Sequence, residues 1–138
     1  MVATGGVFDV LHDGHRQLLE SARAMGDCLI VLVNSDASVR RLKGQSRPLV
    51  PAAQRAALLA ALRCVDAVMV FDDDTPAPVL EGLRPTVWVK GGDYAHGRMP
   101  EAEVVERHGG QVVLGPYLAG VSTTELIERA ADRRAVLS

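Results

Sequence analysis

Residues 4–15 read TGGVFDVLHDGH and set two imidazoles, His12 and His15, three positions apart around Gly14. An apolar run ending in Gly5-Gly6 precedes them, and a helical pattern follows. Glycine lets the backbone turn sharply and approach a ligand closely. The first turn of a helix leaves N–H groups unpaired and carries a partial positive charge, so it attracts phosphate. Two imidazoles there add donors on the same side. The combination suits chemistry on a phosphate ester. The bland alternative is a glycine turn with two solvated or internally satisfied histidines, since a histidine pair alone is a weak motif. Zinc fits less well, because no third ligand accompanies the pair and zinc usually takes at least three.

Other stretches hold unusual polar residues. Residues 34–50 read as a long loop, the kind of segment that carries function. It contains Asp36, Lys43-Gly44 and Arg47, and Arg55 lies just beyond. The three basic residues read as mobile cations, against the alternative of a solvated basic face. VKGGDY at 89–94 ends a strand in Lys90, a phosphate contact or a surface charge, and then turns through Gly91-Gly92 to Asp93. GVSTTE at 120–125 carries Gly120 and Val121 into Ser122-Thr123-Thr124-Glu125. This is a capping-box pattern whose helix end makes a second cradle for phosphate. The run Asp72-Asp73-Asp74 reads as capping of the helix that follows rather than as a metal site.

These stretches need a frame that brings them together. Apolar, β-branched runs without polar alternation at 1–5, 28–33, 67–71, 86–90 and 111–115 predict buried strands. Between them lie helical patterns. One covers 14–25, with Leu18, Leu19, Ala22 and Met25 inward. A second starts at Pro51, with Leu58, Leu59 and Leu62 inward, and a third at Thr75-Pro76, with Val79, Leu80 and Leu83 inward. A fourth spans about 101–108 and stops at Gly109-Gly110. The last is capped at Ser122, with Leu126, Ile127 and Ala130 inward. Strands alternating with helices imply an α/β, Rossmann-like three-layer sandwich around a five-stranded, mostly parallel sheet. Ligands of such sheets bind at the carboxyl ends of strands where connections diverge. That rule selects the loops 5–15, 34–50, 90–100 and 116–124, which hold the polar stretches above.

Length and composition set the bounds. A chain of 138 residues suits one domain, 1–138. With 48% hydrophobic and 23% charged residues it has a globular composition. A net charge of −2 argues against a general nucleic-acid or anionic-membrane binder, but not against a small phosphorylated ligand. Cys28 and Cys64 sit in apolar surroundings and read as small hydrophobes rather than a disulfide or metal pair. The N-terminus lacks the basic and apolar regions of a signal peptide, and no apolar stretch reaches a membrane-spanning length. A cytoplasmic protein is expected.

The pattern G-x-F-D-x-x-H-x-G-H, here running from Gly6-Val7-Phe8-Asp9 through His12 to Gly14-His15, resembles the signature of the cytidylyltransferase-like nucleotidyltransferases. Within them the chain is most similar to the D-glycero-β-D-manno-heptose 1-phosphate adenylyltransferases. The likeness covers nearly the whole chain: NSDASVRRLKGQSRP at 34–48, Gln54-Arg55, DDTP at 73–76, VKGGDY at 89–94 and GVSTTELI at 120–127. It extends to the C-terminal part of bifunctional ADP-heptose synthases without their kinase half, so a stand-alone transferase is expected. The resemblance implies a nucleoside triphosphate held by the first motif, by Lys90, Gly91 and Asp93, and by residues 120–124. It implies a sugar phosphate met by Asp36, Lys43, Arg47, Arg55 and Thr75, with Lys43 also on phosphate. Asp9 becomes a candidate for helping to place magnesium, directly or through water. Cytidylyltransferases carry an arginine where Tyr117 aligns. The heptose enzymes lack it too, which speaks for heptose 1-phosphate against glycerol 3-phosphate. A homodimer is implied by the resemblance alone.

The expected reaction is attack of a sugar-phosphate oxygen on the α-phosphorus of the triphosphate, releasing pyrophosphate. A phosphate monoester has a second pKa near 6 and is already an anion at pH 7, so no general base is needed. The task is electrostatic, and His12, His15, Lys43 and the two helix ends are expected to perform it. Other substrate pairs in the same superfamily are CTP with glycerol 3-phosphate, GTP with a heptose phosphate, or ATP with flavin mononucleotide. A non-catalytic nucleotide-binding module is the alternative from another class. A redox dinucleotide fold fits poorly, because the first turn lacks G-x-G-x-x-G.

Overall fold

Valine, leucine and isoleucine dominate the central strand segments because helices cover both faces there, whereas the segments at 67–71 and 111–115, expected to be buried, form half-exposed edges, with Met69 42%, Val70 48% and Leu114 61% exposed. The computed structural model describes residues 1–91, 99–115, 127, 128, 130 and 131. Five strands, β1 (Val2–Gly6), β2 (Leu29–Asn34), β3 (Ala67–Phe71), β4 (Val87–Lys90) and β5 (Gln111–Leu114), form one sheet in the order β3-β2-β1-β4-β5. Every neighbouring pair is parallel. Among the described residues, the sheet expected to be mostly parallel is therefore wholly so. The chain runs outward from β1 through β2 to β3, then returns to β4 on the other side of β1. The connections thus diverge at the carboxyl ends of β1 and β4, the place where such sheets bind ligands.

Five helices connect the strands: α1 (Asp13–Arg23), α2 (Asp36–Lys43), α3 (Ala52–Ala60), α4 (Ala77–Leu83) and α5 (Pro100–Arg107). Successive strand residues point to opposite faces. Val2, Leu29, Val31, Val33 and Val89 pack with Leu18, Leu19 and Ala22 of α1 and Leu59 of α3. Ala3, Leu32, Phe71 and Trp88 pack on the other face with Leu80 of α4 and Val104 and Val105 of α5. Three layers result, as expected. Gly5 is required where it stands: a Cβ there would lie 2.8 Å from Trp88 Cη2 and 3.3 Å from the Leu32 carbonyl oxygen.

Several details depart from the sequence expectations. The 34–50 segment is not all loop, since α2 occupies Asp36–Lys43. Leu58 is 53% exposed and Met25 39%, so neither belongs to the inward faces expected of them. Met25 lies beyond α1, which ends at Arg23 because Ala24 already forms its C-cap. The aspartates at 72–74 do not cap α4, whose N-cap is Pro76 with no side-chain hydrogen bond. They hold α2 instead: Ser35 Oγ donates to Asp72 Oδ1, and Arg41 Nε pairs with Asp74 Oδ1 at 2.8 Å. Cys28 and Cys64 are both free and half-buried. The helical residues 127, 128, 130 and 131 fall in the range expected for the last helix, but Ala130, expected inward, is exposed. Asp93, Tyr117, Gly120 and Val121, and the capping box expected over Ser122, Thr123, Thr124 and Glu125, lie outside the described residues. No described helix is long and apolar enough to cross a membrane.

Candidate active site

The loop leaving β1 runs into α1, and its two histidines build the start of that helix. His12 is the N-cap, with extended backbone at φ −145° and ψ 179°. Its Nδ1 accepts a hydrogen bond from the Gly14 amide at 3.1 Å. His15, at the third helical position, returns the contact: its Nδ1 accepts from the His12 amide at 3.2 Å. This is a capping box made of two imidazoles, in the roles usually taken by Ser/Thr and Glu/Gln. The rings stack, with centroids 3.9 Å apart and planes 23° from parallel. The Phe8 ring lies tilted against His15, 5.2 Å away between centroids.

The cap fixes the chemistry of both rings. A neutral imidazole has one N–H and one acceptor nitrogen. Since each Nδ1 accepts from the backbone, each neutral ring carries its proton on Nε2. Burial, and after it the charge of His12, hold the His15 pKa down to about 4. Burial also lowers His12, against the opposing pull of Asp13. At pH 7 the site therefore offers two neutral Nε2–H donors at a helix N-terminus. The Gly14 amide is used by His12, so at this position the ring rather than the backbone supplies a donor without a partner among the described residues.

Phe8 is buried and adopts φ +50°, the left-handed region that a bulky residue rarely enters. The residues on either side are tied across to other loops. Asp9, fully enclosed, accepts at Oδ1 from the amides of Leu49 (2.9 Å) and Val50 (2.8 Å). Its Oδ2 accepts from Arg47 Nε at 2.8 Å. Burial alone would raise its pKa, but the two amides and the guanidinium outweigh it and hold the carboxyl below its ordinary value. The Val7 carbonyl accepts from Arg55 Nη1 at 2.7 Å.

Arg55 is not the mobile cation expected from sequence. It lies on α3, is 0% exposed, and donates to Val50 O, Val7 O, Asn34 O and Asp36 Oδ1 at 2.7–2.8 Å. Asp36 also accepts from the Ala52 amide, so it caps α3 while pairing with Arg55. Arg47 is nearly enclosed as well, but only its Nε is bonded to a described residue. Its terminal nitrogens remain as donors beside the histidine loop.

The structure thus brings together Gly6, Val7, Phe8, Asp9, His12, Gly14, His15, Asp36, Arg47 and Arg55. Other expected residues stand apart from this hydrogen-bond network. Lys43 is the exposed last residue of α2, and among the described residues its ammonium has no partner. Thr75 accepts from the Ala77 amide at 3.3 Å and starts α4. Lys90 Nζ lies 3.5 Å from Glu101 Oε1, a buried carboxylate on α5. A Cβ at Gly91 would meet Leu18 Cδ2 at 2.7 Å, so packing under α1 explains that glycine. For magnesium, the described residues contain no group of three possible ligands, and both Asp9 oxygens are engaged. They do not make a resident metal site.

Sequence reasoning missed Asn34, Ser35 and Ser38. Asn34 Nδ2 donates to Ser38 Oγ, which donates to the Asp73 carbonyl, while Ser35 Oγ accepts from the Ser38 amide. The available signal was a serine and an acid opening a short helix, the usual N-cap composition.

A family model described as cytidylyltransferase-like matches residues 3–129. The chain is 61% identical over 132 residues to the bifunctional protein HldE of Streptomyces coelicolor, and 55% identical over 129 residues to that of Geotalea uraniireducens. These matches cover 96% and 94% of the chain but only 28% and 26% of the relatives, so the chain spans about a quarter of their length. Among solved structures, the lipopolysaccharide core biosynthesis protein from Thermoplasma volcanium superposes with a TM-score of 0.71 at 26% identity. That match covers 83% of this chain and 94% of the other.

Proposed function

The chain belongs to the cytidylyltransferase-like family of nucleotidyltransferases, and from that premise we propose that it joins the adenylyl group of ATP to D-glycero-D-manno-heptose 1-phosphate. One observation carries the chemistry. Backbone capping bonds on both Nδ1 atoms leave two neutral imidazoles with Nε2–H as their remaining donors at the N-terminus of α1. The acceptor phosphate oxygen attacks the α-phosphorus, and the bond from that phosphorus to the bridging oxygen of the β-phosphate breaks. Pyrophosphate leaves with the electron pair. No proton moves, so donors that stay fixed and neutral suit the step better than a base would.

His12 and His15 stabilise charge on the α-phosphoryl oxygens. The terminal nitrogens of Arg47, held by Asp9, meet the acceptor phosphate, and Lys43 adds a mobile cation from the end of α2. Magnesium enters with the triphosphate as part of the substrate and lowers the charge of the departing pyrophosphate. Cytoplasmic, homodimeric protein belongs to the same proposal.

The heptose reading rests on the resemblance of the motifs at 34–48, 89–94 and 120–127 to the heptose 1-phosphate adenylyltransferases, and the 61% and 55% identity to the bifunctional HldE proteins supports the transferase family. Its test is a panel of ATP, GTP and CTP against heptose 1-phosphate, glycerol 3-phosphate and flavin mononucleotide, scored by pyrophosphate release. ATP with the heptose phosphate is expected to exceed every other pair by at least about tenfold in kcat/KM, a difference of some 1.4 kcal/mol in the transition state. A different preferred pair would replace the substrate assignment, and release from no pair would remove the catalytic one.

A further inference from the structure

We propose, on the transferase reading of this site, that Arg55 and Asp9 are positioning residues: together they staple the 47–50 segment to the histidine loop and set where Arg47 stands. Val50 is gripped at both ends of its peptide. Its amide donates to Asp9 Oδ1, and its carbonyl accepts from Arg55 Nε, each at 2.8 Å. The same two residues secure the backbone on either side of Phe8. Arg55 holds the Val7 carbonyl, and Asp9 is the residue after the left-handed position. A non-glycine residue in that region is strained and persists only where its surroundings over-determine it. Here the surroundings are these cross-loop bonds and the burial of the Phe8 ring. Arg55 also holds the Asn34 carbonyl at the end of β2 and the Asp36 carboxylate at the start of α2. One guanidinium therefore joins the loops that follow β1 and β2 to the start of α3. With 0% exposure it has no face for a substrate.

Arg55 thus acts on acceptor binding through Arg47, not on the acceptor itself. Lysine at position 55 keeps the charge but loses the planar fork that serves several acceptors at once. In Arg55→Lys, the KM for the acceptor is expected to rise by on the order of 10²-fold, the scale of a misplaced binding group. In an Arg47→Ala background the same change should cost less than about twofold, because the group being positioned is gone. A role in stability alone would lower the amount of active enzyme, leave KM alone, and repeat in both backgrounds. An acceptor-KM penalty that recurs undiminished in the Arg47→Ala chain would overturn the proposal.

A second readout needs no catalysis. The Leu49 and Val50 amides should exchange with solvent about tenfold faster in Arg55→Lys and in Asp9→Asn, while β1 and β2 amides stay protected. The Asp9→Asn chain retains the buried arginine, so it supplies the answer if Arg55→Lys does not fold. Unchanged exchange at Leu49 and Val50 in a folded variant sinks the staple whatever the activity. Faster exchange in the variants, together with a parent protein that turns over no substrate pair, keeps the staple and removes the transferase reading.

Discussion

His12 and His15 each accept a helix-capping hydrogen bond through Nδ1: the His12 amide donates to the His15 ring, and the Gly14 amide donates to the His12 ring. One arrangement thereby ends the loop, starts α1 and selects the tautomer of both rings. In the free protein at pH 7, long-range ¹H–¹⁵N spectra should show both imidazoles as Nε2–H tautomers. A ring protonated on Nδ1, or a rapidly exchanging mixture, would contradict the cap.

The pH response has a definite sign. Folded His15 takes up its proton only near pH 4, whereas in the unfolded chain it does so near 6.5. Between those values the unfolded state binds more protons, so stability falls as pH falls through that window. Denaturant melts at pH 7.5 and pH 5 should show the loss, and His15→Gln should reduce it. Catalysis should follow a different group. The acid limb of kcat/KM is expected near pH 6, where the acceptor's phosphate monoester protonates. A limb that coincides with a histidine titrating near 6.5 in the free protein would count against fixed neutral donors.

Lys43 separates binding from folding. It is exposed and without a partner among the described residues. Lys43→Ala should leave stability within about 0.5 kcal/mol, as surface changes usually do. It should still weaken substrate binding, with KM raised about tenfold for one phosphate-bearing substrate. Unchanged kinetics would remove Lys43 from the site.

Gly5 tests the frame beneath the loop. Gly5→Ala would drive a Cβ against Trp88 Cη2 and the Leu32 carbonyl. Overpacking of this kind costs about 1–3 kcal/mol. Trp88 is the only tryptophan, so its emission should shift as the melting temperature drops by several degrees. A melting temperature within a degree of the parent would show that the layer yields more easily than its packing indicates.

The central strands are legible because burial on both faces leaves an unbroken apolar run, while the edge strands at Ala67–Phe71 and Gln111–Leu114 keep apolar runs despite their exposure. CLIVLV was read at 28–33 and the strand lies at Leu29–Asn34, while TVWVK contains the observed Val87–Lys90. Helix α2 escaped because DASVRRLK buries only Ser38 and Val39, too little for a visible apolar stripe. The histidine motif stood out by residue type and position, but its capping role did not, since imidazoles seldom replace serine and glutamate there. Arg55 was misjudged for a related reason. Sequence shows that an arginine is present, but not that the carbonyls of Val7, Asn34 and Val50 converge on it from distant stretches of chain.

The most direct measurement separates the two roles of the histidines. Alanine at either position removes a cap as well as a donor, and losing a cap costs about 0.5–2 kcal/mol. Asparagine at position 12 and glutamine at position 15 can keep the capping box while losing Nε2–H. His12→Asn and His15→Gln should therefore melt close to the parent, yet release pyrophosphate on the order of 10²–10³-fold more slowly with the best substrate pair. Turnover within a few-fold of the parent in both folded variants would show that these imidazoles build the helix and nothing more.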